Sequence, residues 1–182
     1  MRLCCSKTDH NGAKVLALML ALDISAELAF HEESPADHRG LSLEETDSAS
    51  DPLYEVNSIL RYIARSYRDK GYAGILPKEE AQIDQWLAYT ATNLDPLVSK
   101  IQSFYNQGVD PQGRLIPHLK SLSLKMDFLE QKLAQANFIV GYGATLADLS
   151  IASSFLTPLG SVFNAYYAWK YPNLAGYLER MS

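Results

Sequence analysis

Residues 137–159, NFIVGYGATLADLSIASSFLTPL, narrow most sharply what this chain can become. Gly141 and Gly143 interrupt the chain, and Thr145 then stands where an N-cap hydroxyl accepts from an orphan helix N–H. Asp148 follows three residues later, placed to reach back, and that spacing predicts a capping box. From Leu146 onward the apolar or small residues Ala147, Leu149, Ile151, Ala152, Phe155, Leu156 and Leu159 fall on every side of the helix rather than along one stripe. A helix that is apolar all round must be enclosed by others, so a helical bundle is expected around it.

With 182 residues, 47% of them hydrophobic, the chain can bury a core as one unit or as a small domain beside a larger one. The net charge of −5 argues against a large phosphate-binding face, so direct nucleic-acid binding is not expected. Cys4 and Cys5 are the only cysteines, adjacent in an apparent strand whose successive side chains point to opposite faces. They cannot bridge each other or furnish a metal site, which favours a reducing, cytoplasmic setting. The apolar run at 15–22 is too short to span a bilayer, and it has Asp9 and His10 ahead of it and no basic n-region. No membrane insertion and no signal peptide are expected.

Taken in order, residues 2–6 read as a strand, 13–22 as an apolar helix and 26–32 as a second strand, a β-α-β opening whose helix is about long enough for a parallel crossover. The Ser-, Asp- and Glu-rich stretch 34–51 follows. Within it 41–43 can pair with Leu53 and Tyr54 as a hairpin around a turn at 46–50. Residues 55–67 place Val56, Ile59, Leu60, Ile63 and Tyr67 on one helical face. Gly71, Gly74 and Pro77 punctuate a linker, which divides the chain into 1–70 and 77–182. Beyond it, Pro77 suits a first helical turn with Glu79 and Glu80 at its positive end, and Ile83, Trp86, Leu87, Thr90 and Leu94 continue at 3-4 spacing. Pro96 is expected to bend or end that helix. Residues 107–117 read as a connection, after which Leu119, Leu122, Met126, Leu129 and Leu133 define an amphipathic helix. An aromatic stretch with Phe163, Tyr166, Tyr167 and Trp169 precedes a last helix, 172–182, whose period is still running at its final residue.

Gly-x-x-x-Thr-Leu-Ala-Asp-Leu followed by an apolar helix resembles the core helix of the glutathione S-transferase C-terminal domain, and 54–64 is similar to that family's third helix. The segment 84–97, DQWLAYTATNLDPL, is similar to the corresponding helix of the glutathione-transferase-like domains appended to methionyl- and glutamyl-tRNA synthetases. Related domains belong to the elongation factor 1 gamma subunit, to multi-synthetase scaffolds and to the apicomplexan tRNA import protein. The resemblance implies a thioredoxin-like N-terminal subdomain, α/β in class, followed by an all-α bundle.

It also implies what a working transferase would require: a cis-proline before the third strand, a Ser after the Glu or Gln that begins the third helix, and a Tyr, Ser or Cys near the end of the first strand. Here Val56 follows Glu55 and cannot hydrogen-bond a carboxylate. Pro35 is displaced into a polar loop. Only Cys5, Ser6 and His10 stand near the first strand's end, and an activated Cys or Ser there would need a lowered pKa. His10, His31, His38 and His118 are dispersed without metal-ligand spacing and are expected at the surface. Neither catalytic residues nor cofactors are therefore expected.

In the resembled domains outer faces mediate assembly. One corresponds here to Asn57, Arg61, Arg65 and Trp86, for which core packing of Trp86 and simple solvation of the arginines are the competing readings. The other is the last helix, with Arg180 and Tyr177. The aromatic stretch is expected to pack under the bundle. The implied function is a non-catalytic interaction domain of a translation protein, pairing as a homo- or hetero-dimer with glutathione-transferase-like domains of tRNA synthetases or scaffolds. Any tRNA binding is expected beyond Ser182, and glutathione binding or transfer is the alternative.

Overall fold

The computed structural model describes residues 1–6, 9–30, 40–45, 51–107, 113–159 and 165–182. The chain divides into two compact units, Met1–Ile75 and Leu76–Ser182.

In the first unit, β1 (Arg2–Cys5), α1 (His10–Ala21), β2 (Glu27–Phe30), β3 (Ser42–Glu44), β4 (Leu53–Tyr54) and α2 (Val56–Ser66) follow one another, and a 3₁₀ turn at Arg68–Lys70 closes the series. The sheet order is β2-β1-β3-β4. β1 and β2 are parallel, and β3 runs antiparallel to both β1 and β4. The expected pairing of these strands is present, with Leu43 opposite Leu53 and Ser42 opposite Tyr54, while the expected turn at 46–50 lies outside the described residues. Alternation along β1 buries Leu3 and Cys5. α1 and α2 pack against each other, contributing Val15, Leu18, Ile59, Leu60 and Ile63, all wholly buried. α1 begins three residues ahead of the expected start because Asp9 caps it, accepting from Asn11 N–H at 2.9 Å.

The second unit is all helical: α3 (Pro77–Tyr89), a π-helical segment (Thr90–Leu94), α4 (Asp95–Gln107), α5 (Leu115–Leu133), α6 (Leu146–Leu159), α7 (Ala165–Lys170) and α8 (Pro172–Met181). α3 starts as expected, with Pro77 in its first turn and the Glu79 carboxylate accepting from Leu76 N–H at 3.2 Å. The expectation at Pro96 is met in outline: the regular helix ends at Tyr89, a π-helical segment follows, and α4 begins at Asp95 with Pro96 as its second residue. Proline lacks an N–H and crowds the preceding turn. Just ahead of it the chain widens into a π turn in which Asp95 N–H bonds Thr90 O rather than the carbonyl four residues back. Thr90 and Thr92 also turn their hydroxyls back onto Trp86 O (2.9 Å) and Ala88 O (2.8 Å), a habit that bends helices. Pro117 lies inside α5, not in the connection, because a first-turn residue has no intrahelical N–H partner to lose.

The all-round apolar pattern of α6 is realised as far as Phe155, whereas Leu156 is exposed and the Leu159 side chain lies outside the described residues. Every residue from Leu146 to Phe155 is buried, with α3, α4 and α8 packed around the helix. Of its buried serines, Ser154 donates to Asp95 at 2.6 Å and sits 2.9 Å from Ser150 O, while the Ser150 hydroxyl is buried without a hydrogen-bond partner. α8 begins with no capping side chain of its own. Glu130 of α5 supplies one, accepting from Asn173 N–H (3.0 Å), Asn173 Nδ2 (2.6 Å) and Leu174 N–H (2.8 Å). A thioredoxin-like unit followed by a helical bundle is the architecture the sequence leads one to expect.

Candidate partner-binding surface

α2 buries Ile59, Leu60, Ile63 and Ala64 on its inner side. The 3.6-residue period therefore turns Ser58, Arg61, Tyr62, Arg65 and Ser66 outward. With Leu53 of β4 these five line an open groove of about 490 Å³. Two of the expected partner contacts, Arg61 and Arg65, are thus brought together one turn apart, while Asn57 is half-buried at the start of the helix. Tyr62 hydroxyl donates to the Glu45 carboxylate across the rim. That bond pushes the tyrosine hydroxyl above its ordinary range, and partial burial and the carboxylate charge add to the shift. Sequence reasoning missed Leu53, Ser58, Tyr62 and Ser66. A signal was present in the four-residue spacing of Ser58, Tyr62 and Ser66, which interleaves with that of Arg61 and Arg65.

Trp86 belongs to the core, only 9% exposed. Its ring stacks on Phe128 at 5.8 Å and meets Tyr89 edge-on at 5.4 Å.

On α8 the two expected contacts part company. Arg180 is exposed and donates to Asn137 O at 3.1 Å. Tyr177 corrects the expectation: it is 0% exposed and donates its hydroxyl to Asp148 O at 3.0 Å. It shares the inner side of α8 with Leu174 and Leu178, which leaves it no surface to offer a partner.

The motif at Thr145 and Asp148 works with its donor and acceptor reversed on one side. Asp148 does reach back, its Oδ2 accepting from Thr145 N–H at 2.9 Å, and the Thr145 hydroxyl donates to the same oxygen at 2.8 Å instead of accepting from the helix. Asp148 Oδ1 accepts from Ile139 N–H at 2.7 Å, which fastens the preceding loop as well. Burial raises the Asp148 carboxyl above the usual carboxylate range although each of these hydrogen bonds pulls it down. Burial likewise raises the Tyr177 hydroxyl well above its ordinary value, with the neighbouring Asp148 adding to it.

Near the end of β1, Cys5 is 2% exposed and faces α1. Burial, then Asp9 and Cys4, push its thiol upward, opposite to the shift an activated nucleophile needs. Cys4 and Ser6 are half-buried. His10 and His118 are half-buried too rather than at the surface, with the His118 ring 5.7 Å from Phe104; His31, His38 and Pro35 lie outside the described residues. At the entry to α2, Glu55 has φ +68° and Val56 offers only methyl groups beside it. Among the described residues no group of three or more His, Cys, Asp or Glu could hold a metal ion, and no helix is long and apolar enough to cross a membrane. Of the aromatic stretch, Phe163 and the Tyr166 side chain lie outside the described residues. Tyr167 is half-buried and Trp169 is exposed, so packing beneath the bundle does not extend to Trp169.

No protein-family model matches the sequence. Elongation factor 1-gamma 1 of Oryza sativa subsp. japonica is 27% identical over 132 residues, 71% of this chain and 31% of the relative. Glutathione S-transferase F13 of Arabidopsis thaliana is 30% identical over 105 residues, 53% of this chain and 48% of the relative. The chain spans about a third of the length of the elongation factor it matches, 31%. Among solved structures, poplar glutathione transferase F1 superposes with a TM-score of 0.81 at 21% identity, covering 100% of this chain and 91% of the other. The chain therefore has the glutathione S-transferase-like fold, and its sequence relatives include elongation factor 1-gamma, in keeping with a glutathione-transferase-like domain of a translation protein.

Proposed function

We propose that this chain is a non-catalytic docking module of a cytoplasmic translation protein. It pairs with glutathione-transferase-like domains of tRNA synthetases or scaffold proteins and leaves nucleic-acid binding to other parts of the assembly. The observation that carries the reading is the outer side of α2, where Arg61 and Arg65 share a groove with the Tyr62 ring and Leu53. Arginine beside aromatic and aliphatic surface is the composition of interface anchors. Asn57 flanks this groove in sequence, and Arg180 is a second contact on the opposite end of the chain.

Size-exclusion chromatography with light scattering tests it, on the chain alone and mixed with the glutathione-transferase-like domains of elongation factor 1-gamma or a synthetase. A dimer or hetero-pair is expected, and Arg61→Ala/Arg65→Ala should weaken it by about tenfold, the equivalent of roughly 1.4 kcal/mol. A strict monomer inert to each of these domains would overturn the proposal.

Glutathione binding is the second reading, favoured by the left-handed backbone of Glu55 at the entry to α2, since such backbone gathers at ligand clamps. The Val56 side chain and the raised Cys5 thiol weigh against it. Retention on immobilised glutathione with competitive elution would support this reading, and clean flow-through would dismiss it.

A further inference from the structure

The outward side of α5 carries a row of its own. Leu122, Met126, Leu129 and Leu133 are buried, and the opposite side exposes Pro117, Ser121, Leu124, Phe128 and Gln131 in steps of 4, 3, 4 and 3, the spacing that keeps a row facing a neighbouring helix. Two apolar members stand together in the row, one turn apart, with Leu124 71% and Phe128 48% exposed. Lys120 and Asp127 lie on one flank of the row, where the 3.6-residue turn places both. Among the described residues neither enters an ion pair. Lys125, on the other flank, is drawn away onto the Tyr89 ring at 5.5 Å.

We infer that this row is where a second copy of the chain docks, the two α5 helices running antiparallel about a two-fold axis beside Leu124. The charges select that occupant. In an antiparallel pair each flank meets its own counterpart, so a centre between residues 123 and 124 sets Lys120 of one copy opposite Asp127 of the other, and the two-fold repeats the contact on the far side of Leu124. One surface thus supplies both members of each pair. Phe128 of each copy then lies against Ser121 and Leu124 of the other. A helix of 19 residues is about 28 Å long, and a seam along it buries less than the ~800 Å² per partner of a standard stable interface, so the pairing is concentration-dependent.

The inference adds to the docking-module reading a face that takes this chain itself and leaves α2 for other domains. Its test is sedimentation velocity of the full chain over a range of concentrations, where a monomer–dimer equilibrium is expected. Leu124→Asp should weaken it by about tenfold or more, since the new charge would be buried against its own copy. Lys120→Glu and Asp127→Lys should each weaken it severalfold by setting like charges face to face, and Lys120→Glu/Asp127→Lys should restore it, as the antiparallel register requires. Circular dichroism establishes that each variant is folded; should Asp127→Lys fail to fold, Leu124→Asp and Lys120→Glu decide. A chain monomeric at every concentration, a dimer indifferent to Leu124→Asp, or charge reversals that do not rescue each other would overturn the inference. Hetero-pairing by a chain that never self-associates, or self-pairing that falls with Arg61→Ala/Arg65→Ala and not with Leu124→Asp, sinks this inference and leaves the docking module standing.

Discussion

The hydroxyl of Tyr177 donates to the backbone carbonyl of Asp148 at 3.0 Å, so the last helix is pinned to the first turn of the helix that the bundle encloses. Removing only that hydrogen bond, with Tyr177→Phe, should cost about 1 kcal/mol. Removing the ring, with Tyr177→Ala, should cost about 3–5 kcal/mol as a cavity opens in the core. Urea denaturation of both variants measures the difference. A change of less than about 0.5 kcal/mol for Tyr177→Ala, the size of an ordinary surface substitution, would return the residue to the surface where sequence reasoning had it.

Asp148 makes stability depend on pH in an unusual sense for a carboxylate. Its carboxyl is raised above the ordinary value of 3.8 by burial, so the folded chain holds the proton more tightly than the unfolded chain does. The stability this contributes is complete below the unfolded value and is lost as pH rises through the folded one. Asp148→Asn does not titrate. At neutral pH it should cost ~1–3 kcal/mol, because its amide N–H₂ must face a backbone donor. The wild-type advantage over Asp148→Asn should then grow as pH falls from neutral towards 4, read from urea melts at several pH values. An advantage that shrinks on acidification would mean that the folded chain holds this proton less tightly than the unfolded one.

Gly12 lies where a methyl group has little room. A Cβ there would stand 3.0 Å from both Cβ and Sγ of Cys5. Gly12 is the third residue of α1, where alanine gains at most the ~0.8–1.0 kcal/mol it has over glycine in a helix interior, whereas overpacking a filled core costs ~1–3 kcal/mol. The clash should prevail, and Gly12→Ala should destabilise by about 1 kcal/mol. Adding Cys5→Ala, which removes the sulfur, should recover part of the loss. A Gly12→Ala chain more stable than the wild type would show that β1 yields at Cys5.

The two neighbouring thiols should separate chemically. Cys4 is half-buried and Cys5 buried, with the Cys5 thiol raised from its ordinary 9.0. Alkylation by iodoacetamide proceeds through the thiolate. In the folded chain at mildly alkaline pH, mass spectrometry should find Cys4 modified well before Cys5, and Cys5 should overtake its lag only after denaturation. Rapid modification of Cys5 at neutral pH would reopen a nucleophilic role.

Much of this fold was legible because it is written in short-range periods. The steps between Leu122, Met126, Leu129 and Leu133 put one face of α5 inward whatever the partner, and the Leu43–Leu53 pairing follows from two short apolar runs about a polar turn. The pattern at Thr145 and Asp148 located the start of α6, although not which hydroxyl would donate. Tyr177 was misread by its reputation as an interface residue, when its 3-4 spacing with Leu174 and Leu178 already placed it inside. The interruption ahead of Pro96 was legible from the proline itself, but its π-helical form, in which Asp95 N–H bonds Thr90 O, was not. The groove was half legible: the arginines were found from the family resemblance, but the Glu45–Tyr62 bond joins residues 17 positions apart and no local rule announces it.

The Glu130 carboxylate, carried on α5 and bound at the first turn of α8, separates where the final helix is encoded from where it is nucleated. The ten residues of α8 carry apolar anchors and Pro172 in the first turn but no side-chain cap of their own, and helices this short do not persist alone in water. A peptide of that segment should be a random coil. In the intact chain α8 should therefore become helical only together with α5 and α6, which supply its cap and the carbonyl that pins it.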